Sequence, residues 1–230
     1  MTHLVLWDVD GTLIKGGEAG RVAFADAIAD VLGIAVPPEH LPKMAGKTDP
    51  QIALEILVEL GVPAPEASLG AIEAALERAL HARAGQLRAE GVVLPGVPEA
   101  IAALDEAGAV QTLVTGNVAP NAQTKLSALG LIPSAIRLDL GAYGSDDRDR
   151  DNLVPVALRR AGLAGLNVAV ETTWVVGDTP RDLACARAAG VRCLLVATGG
   201  YSLSAIDGAG ADAVLEDLAD TAKVVELLTS

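Results

Sequence analysis

Aromatic side chains are nearly absent from this 230-residue chain: two tryptophans, two tyrosines and one phenylalanine, 2% of the total. Its core must therefore be aliphatic, built from Ala, Val, Leu and Ile. Cysteine is as scarce. Cys185 and Cys193 make no framework of the kind small secreted domains depend on, and they read as small apolar core residues. No apolar run approaches the roughly 18 residues a spanning helix needs, and Met1-Thr2-His3 leads into an apolar segment broken by Asp8 and Asp10 rather than into a signal peptide. A cytoplasmic protein without a membrane partner is expected. Basic residues are the remaining shortage: 17 Lys and Arg face 30 Asp and Glu, a net charge of −13. So acidic a surface repels a polyphosphate backbone, so nucleic acid is not an expected partner.

What is abundant is aliphatic. Hydrophobic residues make up 51% and charged residues 20%, which excludes disorder. Short apolar, β-prone runs at 4–7, 110–114, 136–138, 174–176, 193–196 and 213–215 read as strands buried on both faces of a parallel sheet. Helical stretches lie between them at 97–107, 121–129, 153–161 and 181–189, with Gly108, Gly130, Gly162 and Gly190 placed where a left-handed C-terminal residue sits. This rhythm predicts an α/β fold with a doubly wound, mostly parallel sheet. From 18 to 88 the rhythm stops, and helices at 18–32, 50–60 and 66–88 follow one another, punctuated by Pro37-Pro38, Pro42 and Pro63. An inserted helical domain over 17–90 is expected, joined through Gly-rich connections at 11–17 and 91–96 to a core of 1–16 and 91–230.

Three strand ends carry chemistry. Asp8 and Asp10, two apart in extended chain, point to one side at the carboxyl end of the first strand, where ligands bind in open α/β sheets. Asp-Gly is also a common turn signal, but two acids projecting together are costly without a cation. Asp178 and Asp182, in Gly177-Asp178-Thr179-Pro180-Arg181-Asp182, follow another apolar strand. Helix capping by Asp178 or Thr179, with Asp182 favoured by the helix dipole, is the plainer account of that pair. If the strand ends converge, four carboxylates share one pocket, a donor set suited to Mg2+. The third end, Thr115-Gly116-Asn117, offers a hydroxyl and unhindered amides ahead of a helix, suited to an anion.

Asp8-Val9-Asp10-Gly11-Thr12, Thr115-Gly116-Asn117 and Gly177-Asp178-Thr179-Pro180-Arg181-Asp182 together resemble the first, second and fourth motifs of the haloacid dehalogenase-like superfamily. The likeness spans nearly the whole chain, and the insert resembles the α-helical cap of phosphoglycolate phosphatase-like and phosphoglucomutase-like members. The resemblance implies a Rossmann-like core and a Mg2+-dependent phosphatase acting on a small phosphorylated metabolite. Asp8 would be the nucleophile and Asp10 the acid and base. Mg2+ would be held by Asp8, Asp10 through its backbone carbonyl, Asp178 and Asp182, the last in or just outside the shell. Thr115, Gly116, Asn117 and Arg150 would bind phosphate. The family's third motif usually carries lysine, and no lysine lies between Lys125 and Lys223. Arg150 is the expected replacement, with Arg148 its rival, and Lys125 is expected on the outer part of the helix after Asn117. The other acids of that loop, Asp146, Asp147 and Asp149, read as solvated charges.

Thr12 would orient Asp10 or fix the turn. Lys47, in a stretch resembling the cap loop that faces the site, would contact the substrate's anionic group or stand solvated. Thr48 would contact substrate, or with Asp49 as the other candidate would N-cap the helix starting near Pro50. Asp10 separates this pattern from dehalogenases, which lack the second aspartate. A phosphomutase of the β-phosphoglucomutase type uses the same residues and stays open, with a phosphonatase and a non-catalytic binding module as further readings. Either a monomer or a homodimer is compatible with all of them.

Overall fold

A computed structural model describes residues 2–132 and 134–230; Met1 and Pro133 lie outside the described residues. In chain order the elements are β1 (Thr2–Trp7), β2 (Ile14–Lys15), α1 (Ala19–Leu32), α2 (Asp49–Glu59), α3 (Leu69–Ala82), α4 (Ala84–Glu90), β3 (Val92–Val93), α5 (Val97–Glu106), β4 (Val110–Thr115) and α6 (Ala119–Ala128). There follow β5 (Ala142–Tyr143), α7 (Leu153–Leu163), β6 (Val168–Gly177), α8 (Pro180–Ala189), β7 (Arg192–Val196), α9 (Leu203–Ile206), β8 (Ala213–Leu215) and α10 (Thr221–Leu228). Six strands form one parallel sheet in the order β5-β4-β1-β6-β7-β8. No helix among the described residues is long and apolar enough to cross a membrane.

The alternation of side chains along each strand splits the core into two apolar layers. Val5 and Trp7 join Trp174, Val176 and Leu194 on the face covered by α5 and α10. Leu4 and Leu6 join Val175, Cys193 and Leu195 on the face covered by α7 and α8. Both cysteines are buried and unpaired. The one strongly polar interior side chain in β4, Gln111, is satisfied at both ends: it accepts from Trp7 Nε1 at 3.1 Å and donates to the Ile101 carbonyl at 2.9 Å.

The helices α1 to α4 form a separate aliphatic cluster around Phe24, Ile28, Ile56, Leu57, Ile72 and Leu80. Their two connections to the sheet run side by side as the antiparallel ribbon β2–β3. Three local expectations are corrected. Residues 136–138 are not a strand: Ile136 makes a single bridge to Gln111, the chain tightens into a 3-10 turn at Leu138–Leu140, and the edge strand is β5. The single helix expected over 66–88 breaks at Arg83 into α3 and α4. Gly162 does not end α7, which continues to Leu163; Gly165 takes the left-handed conformation at φ 79°, and the Leu166 amide closes back on the Ala161 carbonyl at 3.1 Å.

Candidate active site

The carboxyl ends of β1, β4 and β6, neighbours in the sheet, open on one cavity of about 470 Å³, roofed by the α1–α2 region. Asp8 leaves β1 with its amide bonded to the Val176 carbonyl at 2.9 Å, which fixes where its side chain emerges. Asp178 follows β6. Carboxylate oxygens of Asp8, Asp178 and Asp182 lie within 4.8 Å of one another, and all three residues are buried. Gly11, at φ 85°, and Gly199 make this approach possible: a Cβ would fall 2.6 Å from the Asp178 carboxylate at Gly11 and 1.6 Å from it at Gly199.

Three of the four expected carboxylates therefore converge, and Asp10 turns away. Its Oδ2 accepts from Asn117 Nδ2 at 2.7 Å and from Lys125 Nζ at 2.6 Å. Burial alone would raise the Asp10 carboxyl, but the Lys125 ammonium and the Asn117 amide outweigh it and hold the group below the usual carboxylate range. Asp8 stands the other way. Burial, helped by Asp182 and Asp10, pushes its pKa up to about 6 even with the Arg150 guanidinium beside it. Asp178, pushed by burial and by the neighbouring Asp8 and Asp182, rises to about 8.

Arg150 is buried, whereas Arg148 is exposed. The Arg150 Nη2 sits 3.1 Å from Asp8 Oδ1 and pairs with Asp182 Oδ1, and its Nη1 reaches the Gly46 carbonyl at 3.4 Å. Asp182 gives its other oxygen to the Thr179 amide at 3.0 Å and hydroxyl at 2.7 Å, closing a capping box on α8. Thr179 is thus the N-cap and Pro180 the first helical residue. The capping account of Asp178 falls, because Thr179 takes the N-cap position; the Asp178 Oδ1 is buried with no hydrogen-bond partner among the described residues.

Thr115 and Gly116 line the cavity, and Thr115 Oγ1 accepts from Asn117 Nδ2 at 3.0 Å. Gly116 meets the roof directly. Its carbonyl accepts from the Asp49 amide at 2.7 Å, and a Cβ there would lie 2.1 Å from the Lys47 carbonyl oxygen. Thr48 is buried and N-caps α2, accepting from the Gln51 amide at 3.2 Å while its hydroxyl donates to the Arg148 carbonyl at 2.7 Å. Lys47 lines the cavity but is paired with Glu55, so it is neither solvated nor unopposed. The Thr12 hydroxyl is buried and makes no hydrogen bond among the described residues, so it does not orient Asp10; its backbone lies in the turn after β1. Asp146 is exposed, as expected, and is also paired, binding Arg160 through both oxygens at 2.7 Å.

Lys125 is the clearest correction. It faces the cavity floor rather than the outside of α6, with Nζ bonded to both Asp10 and Asn117. Asn121 and Lys125 lie four residues apart on one face of α6 and Asn117 precedes its N-cap at the same spacing, a polar pattern that marks the inward side in the sequence itself. Asp49 was equally hidden. Its Oδ2 accepts from the Val118 amide at 2.9 Å and from Asn121 Nδ2 at 3.0 Å, so a residue of the roof caps a helix of the floor.

An acidic cluster beside an arginine, at the carboxyl edge of a parallel sheet and beneath a helical roof, is the ligand-binding edge expected of an open α/β fold. Comparison makes this specific. Residues 5–187 match the family model described as haloacid dehalogenase-like hydrolase, and the chain belongs to that family. It is similar to the protein CbbY of Cereibacter sphaeroides, 30% identical over 228 residues, 96% of this chain and 94% of that one. A phosphoglycolate phosphatase of Rhodospirillum rubrum is 29% identical over 220 residues, 95% of this chain and 89% of that one. Among solved structures, CbbY from Rhodobacter sphaeroides in complex with phosphate superposes with a TM-score of 0.74 at 24% identity, over 96% of each chain. A hydrolase from Pseudomonas syringae gives 0.74 at 21% identity over the full length of both. The chain is accordingly an enzyme, a hydrolase of the phosphatase kind.

Proposed function

We propose that this enzyme hydrolyses a phosphate monoester of a small metabolite, of phosphoglycolate or sugar-phosphate type, through a phosphorylated Asp8. The observation that carries this reading is the buried Asp8 carboxylate 3.1 Å from Arg150 on the floor of the cavity, with a second, fixed carboxyl at Asp10. An Asp8 oxygen attacks phosphorus as the bond to the ester oxygen breaks; Asp10, which must first take up a proton against the pull of Lys125 and Asn117, delivers it to that oxygen and the alcohol leaves. Asp10 then takes a proton from water as the water oxygen attacks phosphorus, and the Asp8–phosphorus bond breaks to release inorganic phosphate. Arg150, Thr115 and the amides at Gly116 and Asn117 meet the phosphoryl oxygens. CbbY, which binds phosphate in a solved structure, and the phosphoglycolate phosphatases support a small phosphorylated substrate.

The donor set fits a hard divalent cation. Three buried carboxylates lie within 4.8 Å, one with an oxygen unpartnered among the described residues; burial and then repulsion from Asp8 and Asp182 hold Asp178 near pKa 8, and a divalent charge offsets both. Asp8, Asp178 and the backbone carbonyl of Asp10 would hold Mg2+, with Asp182 at the margin because both its oxygens are engaged. When bound, such an ion neutralises charge between nucleophile and phosphate.

The test is a panel of phosphorylated metabolites assayed with Mg2+ for phosphate release, alongside Asp8→Asn. Phosphate release from at least one small monoester, abolished in a folded D8N, is the expected result. Accumulation of a phosphorylated isomer without phosphate, or substantial turnover by D8N, overturns the reading.

A further inference from the structure

A buried ammonium beneath a catalytic cavity calls for a physical reason. Lys125, 9% exposed, reaches Asp10 Oδ2 at 2.6 Å and Asn117 Oδ1 at 2.7 Å. Asn117 Nδ2 donates to that same Asp10 oxygen at 2.7 Å. The three side chains form a closed ring in which Asn117 both gives and receives, so neither the lysine nor the amide can turn without breaking two bonds. Asp10 itself stands on a turn after β1, where its carboxyl would otherwise rotate freely. With Oδ2 held by two donors, Oδ1 is left without a hydrogen bond among the described residues, and the side chain remains 45% exposed toward the cavity.

We propose that Lys125 is the positioning residue of the acid–base carboxyl: with Asn117 it clamps Asp10 so that Oδ1 faces the bridging oxygen of the substrate and later the water. This rests on the reading of Asp10 given above. The clamp fixes one oxygen of the carboxylate and leaves the other side open to the cavity. Arg150 does not substitute, because it is anchored between Asp8 and Asp182. The lysine charge is tolerated in this buried place because carboxylates flank it from two sides, Asp10 from the floor and Asp49 from the roof.

The test is a double-mutant cycle of K125M and D10N, read on an alkyl phosphate, whose leaving oxygen needs a proton, and on p-nitrophenyl phosphate, whose leaving group does not. The rapid release of nitrophenol isolates the first step. K125M is expected to lower kcat on the alkyl phosphate on the order of 100-fold, the scale of acid–base catalysis, with KM changed far less and a smaller loss in the nitrophenol burst. In the D10N background K125M should add less than about threefold, since residues acting as a unit do not lose activity twice. K125R should restore part of the loss. Losses that multiply in the double variant, or a K125M effect equal on both substrates, overturn the proposal. Should K125M not fold, K125Q takes its place in the same cycle. A wild-type enzyme that releases phosphate from no monoester would instead refute the proposed function.

Discussion

Roof and floor touch at Gly116, and an alanine there tests whether catalysis needs the roof seated. The glycine is not in the left-handed region, so alanine carries no backbone penalty; the obstruction is steric. The added Cβ would lie 2.1 Å from the Lys47 oxygen, 2.8 Å from its carbon and 2.9 Å from the Thr48 Cα. Backbone cannot flex aside like a side-chain tip, so the roof must retreat by about 1 Å to reach ordinary contact. That retreat breaks the 2.7 Å bond from the Asp49 amide to the Gly116 carbonyl and strains the 2.7 Å bond from Thr48 to Arg148 and the 2.9 Å bond from Val118 to Asp49. At about 0.5–1.5 kcal/mol net for each hydrogen bond, the seated state loses about 0.5–1.5 kcal/mol if only the broken bond counts and about 1.5–4.5 kcal/mol if all three are lost. A closed-state requirement turns the larger loss into a fall of about 10- to 2000-fold in kcat/KM. Steady-state kinetics on the substrate found in the panel, with amide exchange read at Asp49, measures both halves of the argument. If G116A keeps kcat/KM within about threefold and leaves Asp49 exchange unchanged, the seated roof is not part of the catalytic state.

Arg150→Ala should be far more damaging than Arg148→Ala. The first strands the buried carboxylates of Asp8 and Asp182, at a cost of about 3–5 kcal/mol in a denaturant melt together with most of the activity, while the second changes an exposed side chain within about 0.5 kcal/mol. Equal effects from the two would show that Arg150 is not the cation of the site. Chelated protein should lose stability as pH rises from about 4 to about 8. In that window folded Asp178, its pKa raised from 3.8 to about 8, keeps a proton that the unfolded chain has released, a slope of at most about 1.4 kcal/mol per pH unit. Asp8, raised to about 6, acts in the same direction over the lower half of that range. Excess Mg2+ should flatten the slope in thermal melts; a chelated protein whose Tm is level or rising across the window would contradict the crowding of these carboxylates.

Much of the site is readable before folding because strand ends are readable. Asp8, Thr115 and Asp178 each follow a short apolar run, and an open α/β sheet gathers such ends along one edge. Arg150 is placed by its step to the helix that starts at Leu153. Lys125 escapes because the inward face of a helix is set by what packs on it, and the stripe of Asn117, Asn121 and Lys125 is polar where an inward face is ordinarily apolar. The strand expected at 136–138 fails for a related reason. An edge strand needs pairing on one side only, so β5 wins with two residues held by β4 and by the Gly144 amide on the Asn117 carbonyl at 2.9 Å.

Local chemistry along the chain is thus enough to specify a parallel aliphatic sheet, an inserted run of helices and acidic residues at the strand ends, since each depends on periodicity or on neighbours two to four residues away. Only tertiary contact decided that Asp10 turns from the other carboxylates to Lys125, that Asp182 gives one oxygen to Arg150, and that Asp49 of the roof caps α6. Those choices join residues 32 to 115 positions apart, and a buried charge selects its partner by whatever opposite charge the fold places within hydrogen-bonding reach.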